Sequence, residues 1–144
     1  MEATELVERG IALLLAKDMS GFAGLWAEDG VIEFPFAPPG YPRKVEGREA
    51  IREYLRDYPE KYDVREVVRK VIHRTENPEV VVVELEVAGI VPRSGEPYRM
   101  EYVAIITVRD GEIRHYRDYW NPLQAARAMG GLEALTKAFA GGAA

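Results

Sequence analysis

The stretch DGEIRHYRDYWNP, residues 110–122, decides how the chain is read. It opens with Asp110-Gly111, a pair that tolerates left-handed backbone and so favours a two-residue hairpin turn. It closes with Asn121-Pro122, a helix N-cap residue followed by the residue best suited to a first helical position. Between the two runs a strand-like segment in which one acid, Asp118, stands between aromatics. Asp is a poor strand residue. Either the strand ends there or the carboxyl has a task.

Register narrows the choice. With a two-residue turn, Arg109 faces Glu112 and Val108 faces Ile113. Strict alternation then puts Ile113, His115, Arg117 and Tyr119 on one face, with Tyr116, Asp118 and Trp120 on the other. That separates Ile113 from Tyr116, the two best core candidates. A one-residue bulge at Arg114 or His115 brings Ile113, Tyr116, Asp118 and Trp120 together. The preceding strand then offers Tyr102, Ala104, Ile106 and Val108 to the same face, with Ala104 opposite Asp118. A side chain that small leaves room for a ligand. The acid is expected inside an aromatic-walled cavity, its pKa raised because burial disfavours the charged form. Such a group can donate a proton near neutral pH or hold a substrate oxygen. The structural alternative is an ion pair with Arg117, Arg114 or the terminal helix.

Working outward, the first 27 residues read as helical, with Leu6, Ile11, Leu14 and Leu15 along one face. A break near Ser20-Gly21 sets off a short second helix carrying Phe22, Leu25 and Trp26, ended by Glu28-Asp29-Gly30. VIEFPF (31–36) reads as a strand, with Pro35 at its edge or end. APPGYPRKVEG (37–47) is a Pro/Gly-rich loop of the kind that covers pockets. REAIREYLRDY (48–58) spaces Ile51, Tyr54, Leu55 and Tyr58 as a third helix. Four β-rich runs follow, separated by ENP, RSGE and RDG turns. NPLQAARAMGGLEALTKAF (121–139) reads as a closing helix. The predicted order is α-α-β-α-β-β-β-β-α in a single domain over residues 1–144. The fold class is α+β: a cone-shaped curved antiparallel sheet packed on N-terminal helices, with a C-terminal helix.

Bulk properties exclude several function classes. The chain has 144 residues, 47% of them hydrophobic and 30% charged, which suits one globular core. A net charge of −5 has the wrong sign for nucleic acid. There is no cysteine, so disulfides and thiolate metal sites are out. Two histidines, His73 and His115, cannot make a three-histidine metal site. No stretch reaches the ~20 apolar residues of a membrane span, and no signal peptide is evident. The expected compartment is the cytoplasm.

The early segment LWAEDGVIEFPFAPPGYPRKVEGREAI (25–51) and the ending DGEIRHYRDYWNP resemble the SnoaL-like branch of the nuclear transport factor 2-like, or ketosteroid isomerase-like, superfamily. RDYWNPLQAARAMGG (117–131) is also similar to the corresponding stretch of the PhzA/PhzB phenazine-biosynthesis proteins. There an acid, an aromatic and Asn-Pro lead into the last helix. The resemblance implies a cone-shaped pocket, frequent homodimers through the sheet, and acid–base work without a metal or organic cofactor. It also implies that an acid near the end of the last strand is the general acid/base, which here is Asp118. The phenazine proteins carry Glu at that position, one methylene longer.

The candidate catalytic residues are therefore Asp118 and, as a possible partner on a β-run that should reach the cone, His73. The candidate substrate contacts are Trp26, Phe36, Tyr54, Tyr102, Tyr116 and Trp120; aromatics at such spacings also serve as plain core. Tyr41 and Arg43 sit on the covering loop. Glu33, Glu84, Glu86 and Glu101 are read as facing solvent or a partner subunit, and His115 as pointing outward. The leading functional reading is an isomerase, cyclase, dehydratase or epoxide hydrolase. It would use a pocket acid on a hydrophobic, ring-containing or polyketide-like molecule. The alternative is a protein that binds such a molecule in the same cone without chemistry.

Overall fold

A computed structural model describes residues 2–128 and 130–131. Its elements are α1 (Ala3–Leu15), α2 (Met19–Ala23), β1 (Trp26–Glu33), β2 (Lys44–Glu46), α3 (Arg48–Leu55), α4 (Tyr58–Lys61), β3 (Asp63–Arg74), β4 (Val80–Ile90), β5 (Pro97–Arg109), β6 (Glu112–Trp120) and α5 (Pro122–Ala128). The strands form one sheet in the order β2-β1-β6-β5-β4-β3. β3 to β6 are an antiparallel meander, whereas β1 lies parallel to β6.

The last hairpin has the expected register. Asp110 and Gly111 both take positive φ, 53° and 74°, as the two-residue turn requires. Val108 pairs with Ile113 and Thr107 with His115, so Arg114 is the extra residue. From there Ile106 meets Tyr116, Ala104 meets Asp118 and Tyr102 meets Trp120. Asn121 caps α5 through its Oδ1, which accepts from the backbone N–H of Leu123 at 3.0 Å and of Gln124 at 3.3 Å. Of the rest of the expected closing helix, Gly130 and Gly131 are not helical, and residues 129 and 132–139 lie outside the described residues.

Several expectations at the N-terminal end are corrected. The chain breaks at Lys17, whose φ is 62°, and Asp18 then caps α2 by accepting from Gly21 N–H at 2.8 Å. The break therefore precedes Ser20-Gly21. Trp26 and Glu28-Asp29-Gly30 belong to β1, not to the second helix. That strand runs from Trp26 to Glu33 and finds its partner in β6, some eighty residues on, so nothing local announces it. Part of the Pro/Gly-rich loop forms β2, which pairs with β1, and a short α4 follows α3. The parallel β1–β6 pair makes the sheet mixed rather than wholly antiparallel.

The core lies between the helices and the inner sheet face. β5 turns Tyr98, Met100, Tyr102, Ala104, Ile106 and Val108 inward; Val81, Val83, Leu85 and Val87 do the same on β4. Two apolar clusters result, one around Trp26 and Ile51 and one around Val87 and Tyr98. Leu85 and Trp120 touch both. Among the described residues, no helix is long and apolar enough to cross a membrane.

Candidate active site

Between the two clusters the core is incomplete, and a cavity of about 310 Å³ opens there. That is at the small end of the range of ligand sites. Asp118 stands in its wall, delivered by β6 between Tyr116 and Trp120. Across from it on β5 is Ala104, whose methyl takes little of the space. Tyr54, Tyr58 and Tyr62 enter from α3, α4 and the residue after α4, and Tyr102 from β5. Ala125 and Ala126 of α5 close one side. α5 is held across by Gln124, whose side chain accepts from Glu101 N–H at 2.7 Å and donates to the Glu101 carboxylate at 2.9 Å.

Among the described residues Asp118 has no charge partner. Its Oδ1 is hidden from solvent and meets no hydrogen-bond donor among the described residues. Burial pushes its carboxyl up to about 7, from an ordinary 3.8. The ion pair with Arg114 does not form, since Arg114 pairs with Asp29 and Asp110 at 3.3 and 3.9 Å; a partner on the terminal helix past Gly131 lies outside the described residues. At neutral pH the carboxyl is divided between acid and base forms, as a proton shuttle requires.

Asp57 and Lys61, an exposed pair 3.9 Å apart, also line the cavity, and three phenols form a hydrogen-bonded row beside it. The Tyr102 hydroxyl lies 2.9 Å from that of Tyr58 and 3.0 Å from that of Tyr98. Three hydroxyls carry three protons, and the two contacts use two of them. Tyr98 is 3% exposed and does not reach the cavity, so its proton goes to Tyr102. Tyr102 then donates to Tyr58, and the spare proton falls to Tyr58, which lines the cavity. Burial raises all three phenol pKa values, and Tyr58 is held lowest, at about 12, because its neighbours donate to it. Stacking of Tyr62 on Tyr98, with centroids 4.5 Å apart, backs the row. Tyr62 and Tyr98 were not foreseen; the four-residue spacing of Tyr98 and Tyr102, which puts both on one strand face, was the available signal.

The other sequence candidates divide. Tyr54, Tyr102, Tyr116 and Trp120 line the cavity. Trp26 does not; it is fully buried and donates from Nε1 to the Val31 carbonyl at 3.4 Å. Its ring lies 5.4 Å from that of Tyr116 and supports that wall from behind. Phe36 is 57% exposed and packs edge-on against Tyr119, outside the cavity. His73 is also corrected. It pairs with Val82 in the sheet, so it shares the outer face with Glu84, whose carboxylate its Nε2 meets at 2.5 Å. Half exposed, it cannot assist Asp118. Glu84 and Glu86 sit on that same outer face, in ion pairs with Arg69 and Arg99. Glu33 and His115 bond to each other at 2.7 Å. Tyr41 reaches the cavity, whereas Arg43 binds the loop to itself through the carbonyls of Ala37 and Pro35.

A curved sheet around a half-buried acid, with helices closing the cone, defines a ketosteroid isomerase-like fold. The chain belongs to the SnoaL-like domain family, whose profile matches residues 7–116. It is 37% identical to an uncharacterised PhzA/B-like protein of Pseudomonas aeruginosa over 137 residues, 95% of this chain and 96% of that one. A crystal structure of a Bacillus subtilis protein, provisionally named an isomerase, shares 40% identity with a TM-score of 0.86, covering 90% of this chain and 93% of that one. At 19% identity, a protein from Catenulispora acidiphila described as having a ketosteroid isomerase-like fold, crystallised with trimethylamine, shares the fold. Its TM-score is 0.71, over 88% of this chain and 92% of the other.

Proposed function

We propose that the protein is a small-molecule enzyme of isomerase or cyclase type that uses Asp118 as general acid/base. Its substrate is a hydrophobic, ring-containing or polyketide-like molecule. The observation that carries this reading is the unpartnered Asp118 carboxyl facing a cavity walled by aromatic rings. In a carbon acid such as a cyclic ketone, the carboxylate takes the proton beside the carbonyl and returns it to the same or a neighbouring carbon. Negative charge builds on the carbonyl oxygen during the transfer. The spare Tyr58 proton is the donor suited to receive it, and burial strengthens that hydrogen bond. Trp120, Tyr116 and Tyr54 keep the ring in place and bulk water away. The provisional naming of the Bacillus subtilis relative as an isomerase agrees with proton transfer.

The test is proton exchange rather than a guessed substrate. In D₂O, one- and two-ring ketones and β,γ-unsaturated cyclohexenones should take up deuterium beside the carbonyl in the presence of the protein. Asp118→Asn should slow that by about 10²–10⁴-fold while leaving ligand binding intact. Equal exchange in the two proteins sinks the general-base assignment. Binding without exchange in the wild type selects the non-catalytic reading.

A further inference from the structure

A second void of about 50 Å³ lies behind the main cavity. Leu14, Phe22, Leu85 and Tyr116 line both spaces. The remaining wall includes Gly10 and Ile11 of α1, Val83 of β4, Ile106 of β5 and Ile113 of β6. Apart from the Tyr116 phenol, no lining residue carries a polar side chain. An apolar space of this kind stays dry and takes apolar groups. Its position follows from β6. Tyr116 is two residues from Asp118 on the same face, about 7 Å along the strand, and Ile113 is farther on, past the bulge. Tyr116, which lines both spaces, therefore stands between the carboxyl and the Ile113 end of the void. Gly10 gives it depth on the helix side. A Cβ there would come within 3.3 Å of the Phe22 ring, which would have to give by a few tenths of an ångström, and would touch Leu25 at 3.4 Å.

We propose that this void is a subsite for an aliphatic substituent of the substrate. The inference rests on the reading that a ring binds beside Asp118, and it deepens that reading. The substrate class becomes a ring carrying a short unbranched alkyl chain that passes Tyr116. At roughly 12–15 Å³ per water-sized group, the void holds a chain of about three or four carbons. Val83 of β4 and Ile11 of α1 are both part of its wall, so their bulk bears on the room it offers.

The test is titration calorimetry with phenol and 4-ethyl-, 4-butyl- and 4-hexylphenol. The wild type should bind about fourfold tighter per added methylene, which is ~0.8 kcal/mol of burial, and level off near butyl. Val83→Ile adds a methyl group to the wall and should bring the plateau to a shorter chain. Ile11→Ala removes wall and should carry the gain on to hexyl. Identical chain-length profiles in the three proteins, or no gain with chain length in the wild type, overturn the proposal. If Val83→Ile does not fold, Ile11→Ala decides alone, because its shift has the opposite sign. The Asp118→Asn protein separates this claim from the one beneath it. It should keep the chain-length profile and lose deuterium exchange; keeping both would remove the general-base reading and leave the subsite standing.

Discussion

Asp118 trades stability for chemistry. Folded, it takes its proton at about 7; unfolded, at the ordinary 3.8. Between those values the folded chain holds a proton that the unfolded chain has released. Stability therefore falls as pH rises from about 4, and the loss is complete above about 8. About three pK units at 1.36 kcal/mol each bound the cost at ~4 kcal/mol, and because the residue keeps partial exposure, solvent screening lowers it to roughly half. Asn cannot ionise, so Asp118→Asn should match the wild type in denaturant melts at pH 4 and exceed it by about 2 kcal/mol at pH 8. A gap that does not grow with pH would mean the carboxyl is not buried as described. At this scale the sequence was informative wherever neighbours fixed a face. The Asp110-Gly111 turn and the Ile113/Tyr116 conflict were enough to orient Asp118. His73 had no such guide. The two faces of its run carry mixed residues, and the irregularities at Val64/Glu66 and Val67/Arg69 that set its side have no sequence mark.

At the scale of elements, two backbone irregularities shape the cone. The extra residue at Arg114 turns β6 so that Ile113 and Asp118 share the inner face. On the far side, β3 and β4 approach so closely at Gly89 that a Cβ there would lie 1.9 Å from the Asp63 carbonyl oxygen. That position admits no side chain without moving β3, and Asp63 is also where Lys17 ties the α1–α2 corner to the sheet, at 2.9 Å. Gly89→Ala should cost about 2–4 kcal/mol in urea unfolding, in the upper part of what single substitutions do. A loss under about 0.5 kcal/mol, the level of an ordinary surface change, would show that the β3–β4 end is not packed this way. Hairpins and helix caps were legible because their signals are local. β1 was not. FAGLWAEDGV keeps helical spacing up to Trp26, and its true partner, β6, is distant in sequence.

Across the whole molecule, every layer contributes a wall to the cavity, so ligand binding and folding are coupled. A ligand at 100 times its Kd adds ~2.7 kcal/mol, which at this chain length is a Tm rise of about 5–11 °C. The sign of its pH dependence depends on what the ligand offers to Asp118. A ketone whose oxygen sits on the Tyr58 hydroxyl puts apolar carbon beside Asp118 and selects the neutral, protonated carboxyl; a phenol donates a hydrogen bond and selects the carboxylate. With a pKa of about 7, each form changes about tenfold in population between pH 6 and pH 8. Ketone affinity should fall tenfold over that range and phenol affinity rise tenfold, each worth ~1.4 kcal/mol. Thermal shifts with 4-butylcyclohexanone should therefore be larger at pH 6, and those with 4-butylphenol larger at pH 8. In Asp118→Asn both slopes should vanish, because the amide donates and accepts at either pH. Parallel slopes for the two ligands would place the titrating group elsewhere. Opposite slopes that disappear together in the Asn variant tie binding to this one carboxyl, and set it apart from the Asp57–Lys61 pair that also lines the cavity and from phenols whose pKa values burial raises.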